Sequence, residues 1–133
     1  MEQLQKIKML LMQFPQWGEQ PLAVDIRGGS PGSCTLLPLG VRVLSRKENI
    51  QGGQICRLRQ SFLLRRVSIA GEDAAGWLIA LQKWLPEQPV KALQPDFGAG
   101  LRLWAESGHL TGSRQPGTGI YEVKIHAQYE KEE

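Results

Sequence analysis

The apolar positions fall into two kinds of spacing along the chain. Leu4, Ile7, Leu11 and Phe14 recur at helical intervals with Gln and Lys between them, which predicts an amphipathic helix over 2–14 closed by Pro15. Leu22 to Ile26 alternates as a short strand, and Gly28-Gly29-Ser30-Pro31-Gly32-Ser33 has the composition of a loop. Cys34 to Leu39 is either a short strand or an extended crossing segment, and Pro38 argues against a central place in a sheet.

Val41 to Ile50 and Gln54 to Ile69 read as two long strands joined at Gly52-Gly53, a strong hairpin signal. If Gln51 faces Gln54, Val43 faces Phe62 and Val41 faces Leu64 on one apolar face. On the other face that register sets Glu48 against Arg57 and Arg46 against Arg59. The last is a like-charge pair, which a bulge or an acid from elsewhere would have to relieve.

Trp77, Leu78, Leu81, Trp84 and Leu85 form a broad apolar stripe, predicting a helix over 72–85 with Glu72 and Asp73 at its start and Pro86 and Pro89 beyond its end. Residues 95–100 are turn-rich, and 101–111 is ambiguous, with Leu101, Leu103 and Ala105 alternating as a strand could. After a turn at 115–119, Tyr121, Val123, Ile125, Ala127 and Tyr129 alternate with polar residues from Ile120 to Glu130, the clearest strand of the chain.

Together these elements predict an α+β fold: a mostly antiparallel β-sheet with two α-helices packed on one face and a long β-hairpin. The expected core is Leu4, Ile7, Leu11, Phe14, Phe62, Trp77, Leu81, Trp84, Tyr121, Val123 and Ile125. At 133 residues the chain has the size of one domain, covering 1–133, with 41% hydrophobic and 22% charged residues as in ordinary globular proteins. No apolar run approaches the roughly 20 residues of a membrane-spanning helix, and the N-terminus lacks the pattern of a signal peptide. Cys34 and Cys56 are therefore expected as reduced thiols, and two Cys and two His so dispersed do not make a zinc site.

The net charge of +3 hides an asymmetry. Arg42, Arg46, Lys47, Arg57, Arg59, Arg65 and Arg66 are accompanied only by Glu48, so 42–66 carries +6; the other nine of the 16 bases and twelve of the 13 acids give −3. Such a segment is either a basic patch for nucleic acid or an acidic partner, or a solvated strand face. Aromatic residues are not interleaved with these arginines as stacking platforms would be.

Catalytic patterns are missing from the sequence. The glycine clusters at 28–33, 98–100 and 117–119 do not lead into Lys-Ser or Lys-Thr at a helix start, nor complete a dinucleotide fingerprint, since Leu103 stands at the third glycine position. His126 lies on the polar face of the last strand and His109 beside Gly108, both expected as surface histidines outside any nucleophile motif. Paired histidines followed by Asp-Gly, which an acetyltransferase of the chloramphenicol-modifying type would need, do not occur, and Asp25, Asp73 and Asp96 are isolated. Trp77 and Trp84 are expected in the core, while Trp17 and Trp104 are candidates for an exposed interface. The expectation is of no catalytic residue, cofactor or metal.

Several stretches in order resemble a known family. They are the first helix running into Phe14-Pro15, Pro31-Gly32-Ser33-Cys34 with Pro38-Leu39-Gly40, and Ser45-Arg46-Lys47-Glu48. The Arg-rich strand, the Trp77–Trp84 helix and Gln115-Pro116-Gly117-Thr118-Gly119 with the final strand complete the set. The combination resembles the tail terminator, or tail completion, proteins, minor structural proteins of phages and prophages. That resemblance implies a structural, non-enzymatic subunit of a homo-oligomeric ring, commonly a hexamer, that caps the tail tube and stops its polymerisation. The implied partners are the tail tube protein and the head–tail connector, with genome DNA passing through the lumen without specific binding, and no membrane. The implied location is the virion tail, after assembly in the host cytoplasm. A ring needs a heterologous contact that closes by rotation. The hairpin tip, 48–54, is expected in a subunit or axial contact, with Arg46, Glu48, Gly52, Gly53, Arg57, Arg59 and Arg65 as its residues. The alternative is a nucleic-acid-binding module using the basic hairpin. Residues 94–113 receive no role from the resemblance.

Overall fold

The computed structural model describes residues 2–18, 22–24, 34–48, 50–68, 74–106, 109–112 and 119–132. Its elements are α1 (Glu2–Leu11), β1 (Leu22–Val24), β2 (Cys34–Glu48), β3 (Gln54–Val67), α2 (Ala74–Trp84), β4 (Ala99–Ala105), β5 (His109–Gly112) and β6 (Ile120–Glu132). The strands form one sheet in the order β1-β2-β3-β6-β4, with β5 also pairing β6. Among the described residues only the β1–β2 pair is parallel. The fold is α+β, with a mostly antiparallel sheet and both helices on one face.

Burial follows the predicted stripes. Leu4, Ile7, Leu10 and Leu11 of α1 and Trp77, Leu78 and Leu81 of α2 are buried against Phe62 and Leu64 of β3, Val123, Ile125, Ala127 and Tyr129 of β6, and Leu101 and Leu103 of β4. Each fully buried aliphatic side chain here stabilises the fold by about 1.5–3 kcal/mol. Trp84 and Tyr121 sit half-buried at the margin of this core. The first helix ends at Leu11, short of Phe14, and two turns carry the chain on to Phe14 and Trp17. There Phe14 packs against Trp77 and Trp84 with centroids 5.7 and 5.3 Å away, and Trp17 lies 5.4 Å from Trp77. Trp17, expected as an interface candidate, is 4% exposed: it closes the end of the core between the two helices.

The hairpin departs from its predicted register. The turn spans five residues between Glu48 and Gln54, with Gly52 at a φ of 86°. Register shifts between Pro38 and Gly40 and between Val43 and Ser45 then slide β2 along β3. Val43 faces Leu58, not Phe62; Val41 faces Gln60, not Leu64; Glu48 faces Gln54, not Arg57; and Arg46 faces Cys56, not Arg59. The like-charge pair is Arg42 opposite Arg59. Cys34 to Leu39 is the first part of β2, and among the described residues β1 pairs its outer side over Cys34 to Leu36. Pro38 lies opposite Phe62 of β3 at a register shift, the kind of irregularity at which a sheet tolerates proline.

The remaining differences are local. The second helix gives way at Leu85 to a 3-10 turn, Leu85–Glu87, which holds Pro86. The turn-rich stretch is shorter than expected, since Gln94–Asp96 is a 3-10 turn and β4 already begins at Ala99. The ambiguous stretch is two strands, β4 and β5, both along the β6 edge away from β3. Glu72, Asp73 and the expected loops at 28–33 and 115–118 lie outside the described residues.

Candidate interaction surface

The helices cover one face of the sheet and leave the other open. Strand alternation assigns the open face to the odd-numbered residues of β3 and the even-numbered residues of β6. Register aligns them in rows across the strands: Gly40–Ser61–His126–Trp104, and next to it Arg42–Arg59–Gln128–Arg102.

His126 is the residue the sequence misplaces most. It is on the open face as predicted, but only 6% exposed. Its Nδ1 lies 2.7 Å from Ser61 Oγ and its Nε2 lies 2.7 Å from Glu106 Oε1, while the Trp104 ring sits 5.3 Å away. Gln82 of α2 donates to the Glu106 backbone carbonyl. The Ser61–His126–Glu106 chain has the composition of a nucleophile relay. However, Ser61 stands mid-strand with neighbours on both sides, Gly40 and His126, so the β3 backbone amides are engaged in the ladders and form no N–H cradle for an oxyanion. The arrangement satisfies both nitrogens of a buried imidazole and so fixes the open-face row.

The excess of base in 42–66 is answered in part inside the chain. Arg65 stands opposite Glu122 and holds its Oε2 through Nε and Nη2 at 2.9 and 2.7 Å. Arg57 stands opposite Glu130 at 3.4 Å. Arg59 donates to Gln128 at 3.1 Å and lies 5.1 Å from the centre of the Trp104 ring, which Arg102 approaches at 5.6 Å. The like charges of Arg42 and Arg59 are thus separated by drawing Arg59 toward β6 and Trp104. Arg66 is buried, its guanidinium 4.4 Å from the Trp77 ring. Arg42, Arg46 and Lys47 remain exposed on β2. The bulge at Gly40 leaves a shallow depression of about 320 Å³ lined by Leu39, Val41, Arg42, Arg59, Lys124 and His126.

Of the predicted contact residues, Arg46, Glu48, Gly52 and Arg57 are exposed and Gly53, Arg59 and Arg65 half-buried. The structure places Arg46, Glu48, Gly52 and Gly53 together at the outer end of the hairpin, with Arg57, Arg59 and Arg65 spread down its β3 strand. Cys34 and Cys56 are buried at opposite ends of the hairpin, facing Arg66 and Arg46, and are not bonded to each other.

The displaced register has one further effect. Val41 and Val43 share the helix-side face with Gln60 and Leu58, but on a part of the hairpin that the helices leave uncovered, and they are 56% and 45% exposed. Leu39 is exposed beside them, and Ile50 at the tip is exposed over its whole side chain. Sequence patterning sets these valines on an apolar face opposite Leu64 and Phe62; the observed register sets them opposite Gln60 and Leu58, nearer the tip of the hairpin.

No protein-family model and no curated protein matches this chain. Among the described residues no cluster of His, Cys, Asp or Glu could hold a metal ion, and no helix is long and apolar enough to cross a membrane.

Proposed function

We propose that this protein is a structural assembly subunit that joins copies of itself through its hairpin arm, in the manner of a tail terminator ring. The observation that carries the proposal is the apolar arm. Two β-branched side chains, Val41 and Val43, and the tip residue Ile50 are held out in water on a β-ribbon braced by β6. Val41 and Val43 are neighbours on one face of the hairpin, and apolar surface left exposed in this way is the mark of a protein contact. The bulges and bases on β2 are also devices that discourage indiscriminate edge pairing, so the arm favours a specific partner. In this role the ring caps the tail tube and meets the head-side connector, and the open sheet face is available to one of these axial partners.

The nucleic-acid alternative draws less support. Of the hairpin arginines it would use, Arg57, Arg59 and Arg65 are held by Glu130, by Gln128 and Trp104, and by Glu122, which leaves it Arg42 and Arg46.

Electron microscopy of tails from a host lacking this gene tests the proposal. Abnormally long, headless tubes, shortened again by the intact protein, are the expected result. Tails of normal length joined to heads would refute it.

A further inference from the structure

The arm ends in an exposed apolar side chain, and the same chain carries an apolar groove elsewhere on its surface. Ile50 sits at the tip of the turn, fully exposed, with Glu48 at the end of β2 beside it. A groove of about 400 Å³ runs between α1 and the 89–93 segment, lined by Met9, Leu10, Gln13, Pro89, Ala92 and Leu93, with Lys6 and Lys91 on its rim. We propose that the hairpin tip of one copy docks in this groove on a second copy, Ile50 filling the apolar floor and Glu48 meeting Lys6 or Lys91. This rests on the assembly function proposed above and names the contact that would perform it.

Three features support the match. The groove is mainly apolar and falls in the size range of ligand pockets, so it can accept a branched aliphatic side chain with a flanking residue. Met9, 60% exposed at its mouth, has the flexible, polarisable side chain that suits an adaptable docking surface. The charges are complementary: the described residues give Lys6, Lys91 and Glu48 no ion-pair partner within the chain. The exposure of both Ile50 and Met9 shows that the tip does not fill the groove of its own chain. Because tip and groove are different surfaces, each copy uses both, and the contact is heterologous, the kind that closes a ring when its rotation allows.

The test uses the full chain, with the buried Cys34 and Cys56 left in place. Ile50→Cys and Met9→Cys are made separately, mixed, oxidised and compared with each variant alone, while native mass spectrometry reports the oligomeric state of the unmodified protein. The expected result is a disulfide between the two variants, in clear excess over either homodimer. Ile50→Asp, with an unchanged circular dichroism spectrum, is expected to weaken self-association roughly tenfold or more. Glu48→Lys should weaken it too, and Lys91→Glu in the partner copies should restore it. An oligomeric protein that gives no mixed disulfide and tolerates Ile50→Asp overturns this contact and leaves the assembly function standing. A protein that stays monomeric and gives no mixed disulfide overturns both.

Discussion

Arg65 and Glu122 face each other across the centre of the sheet, joined by two hydrogen bonds to one carboxylate oxygen. Both side chains are mostly shielded from water, so the pair is screened less than a surface ion pair. Glu122→Gln should therefore lower stability by about 1–2 kcal/mol, and Arg65→Ala by a similar amount, in urea unfolding. A double-mutant cycle should give a coupling of roughly 0.5–1.5 kcal/mol. Additive effects would mean that the basic strand is not neutralised from β6.

Gly98 is required by close approach. A Cβ at this position would run into the backbone carbonyl of Glu130 and come within 2.8 Å of Tyr129 Cδ2. The carbonyl belongs to the central strand and cannot move cheaply. Gly98→Ala should cost about 1–3 kcal/mol, read as a fall in the unfolding midpoint. Gly40→Ala meets no neighbour within 4 Å, and its cost should come from its φ of 130° alone.

The Ser61–His126–Glu106 chain predicts a structural effect and no chemistry. Ser61→Ala should cost about 1 kcal/mol by leaving a buried imidazole nitrogen unpaired. His126→Ala should cost more, about 2–3 kcal/mol, since it also opens a gap beside Trp104. Covalent labelling of Ser61 by a fluorophosphonate would contradict this.

Tyr129 links pH to stability. Burial raises its phenol above the usual value of 10.0, with the Gln3 side chain opposing part of the shift. Its hydroxyl donates to Gln60 at 3.2 Å, and Gln60 donates to Gln3 at 2.8 Å, which ties α1 to the sheet. A raised folded value means that the neutral phenol is the form the fold holds. This contribution is intact below the unfolded value and is lost as pH rises through the folded one. Tyrosine absorbance should show one phenol ionising late, and Tyr129→Phe should remove that step and flatten the alkaline fall in stability.

The helices and β6 were legible because their apolar periods, near 3.6 and 2, survive as pattern. Leu4, Ile7 and Leu11, or Val123 and Ile125, need no knowledge of their neighbours to be placed in a core. The hairpin was legible as an element but not in register, because the turn sets Glu48 opposite Gln54 and two bulges, beside Pro38 and Val43, shift β2 against β3, and a composition of Gly, Pro and Val does not encode them. The alternation of β6 puts His126 on the correct face but does not show its burial, since Ser61 and Trp104 reach it through strand pairing. The base-rich segment looked like a binding patch because Glu122 and Glu130 lie far along the chain from the arginines they neutralise. β4 and β5 were obscured by Gly98 and Gly100, which signal a turn in sequence and here serve close approach and a φ of 66°.

Native mass spectrometry of the unmodified protein beside Val41→Asp/Val43→Asp tests the central claim most directly. Both substitutions lie on exposed side chains, so circular dichroism should be unchanged. The account predicts that the unmodified protein forms a discrete closed oligomer and that the variant is monomeric. A monomer at every concentration, or an oligomer indifferent to two charges on the arm, would contradict it.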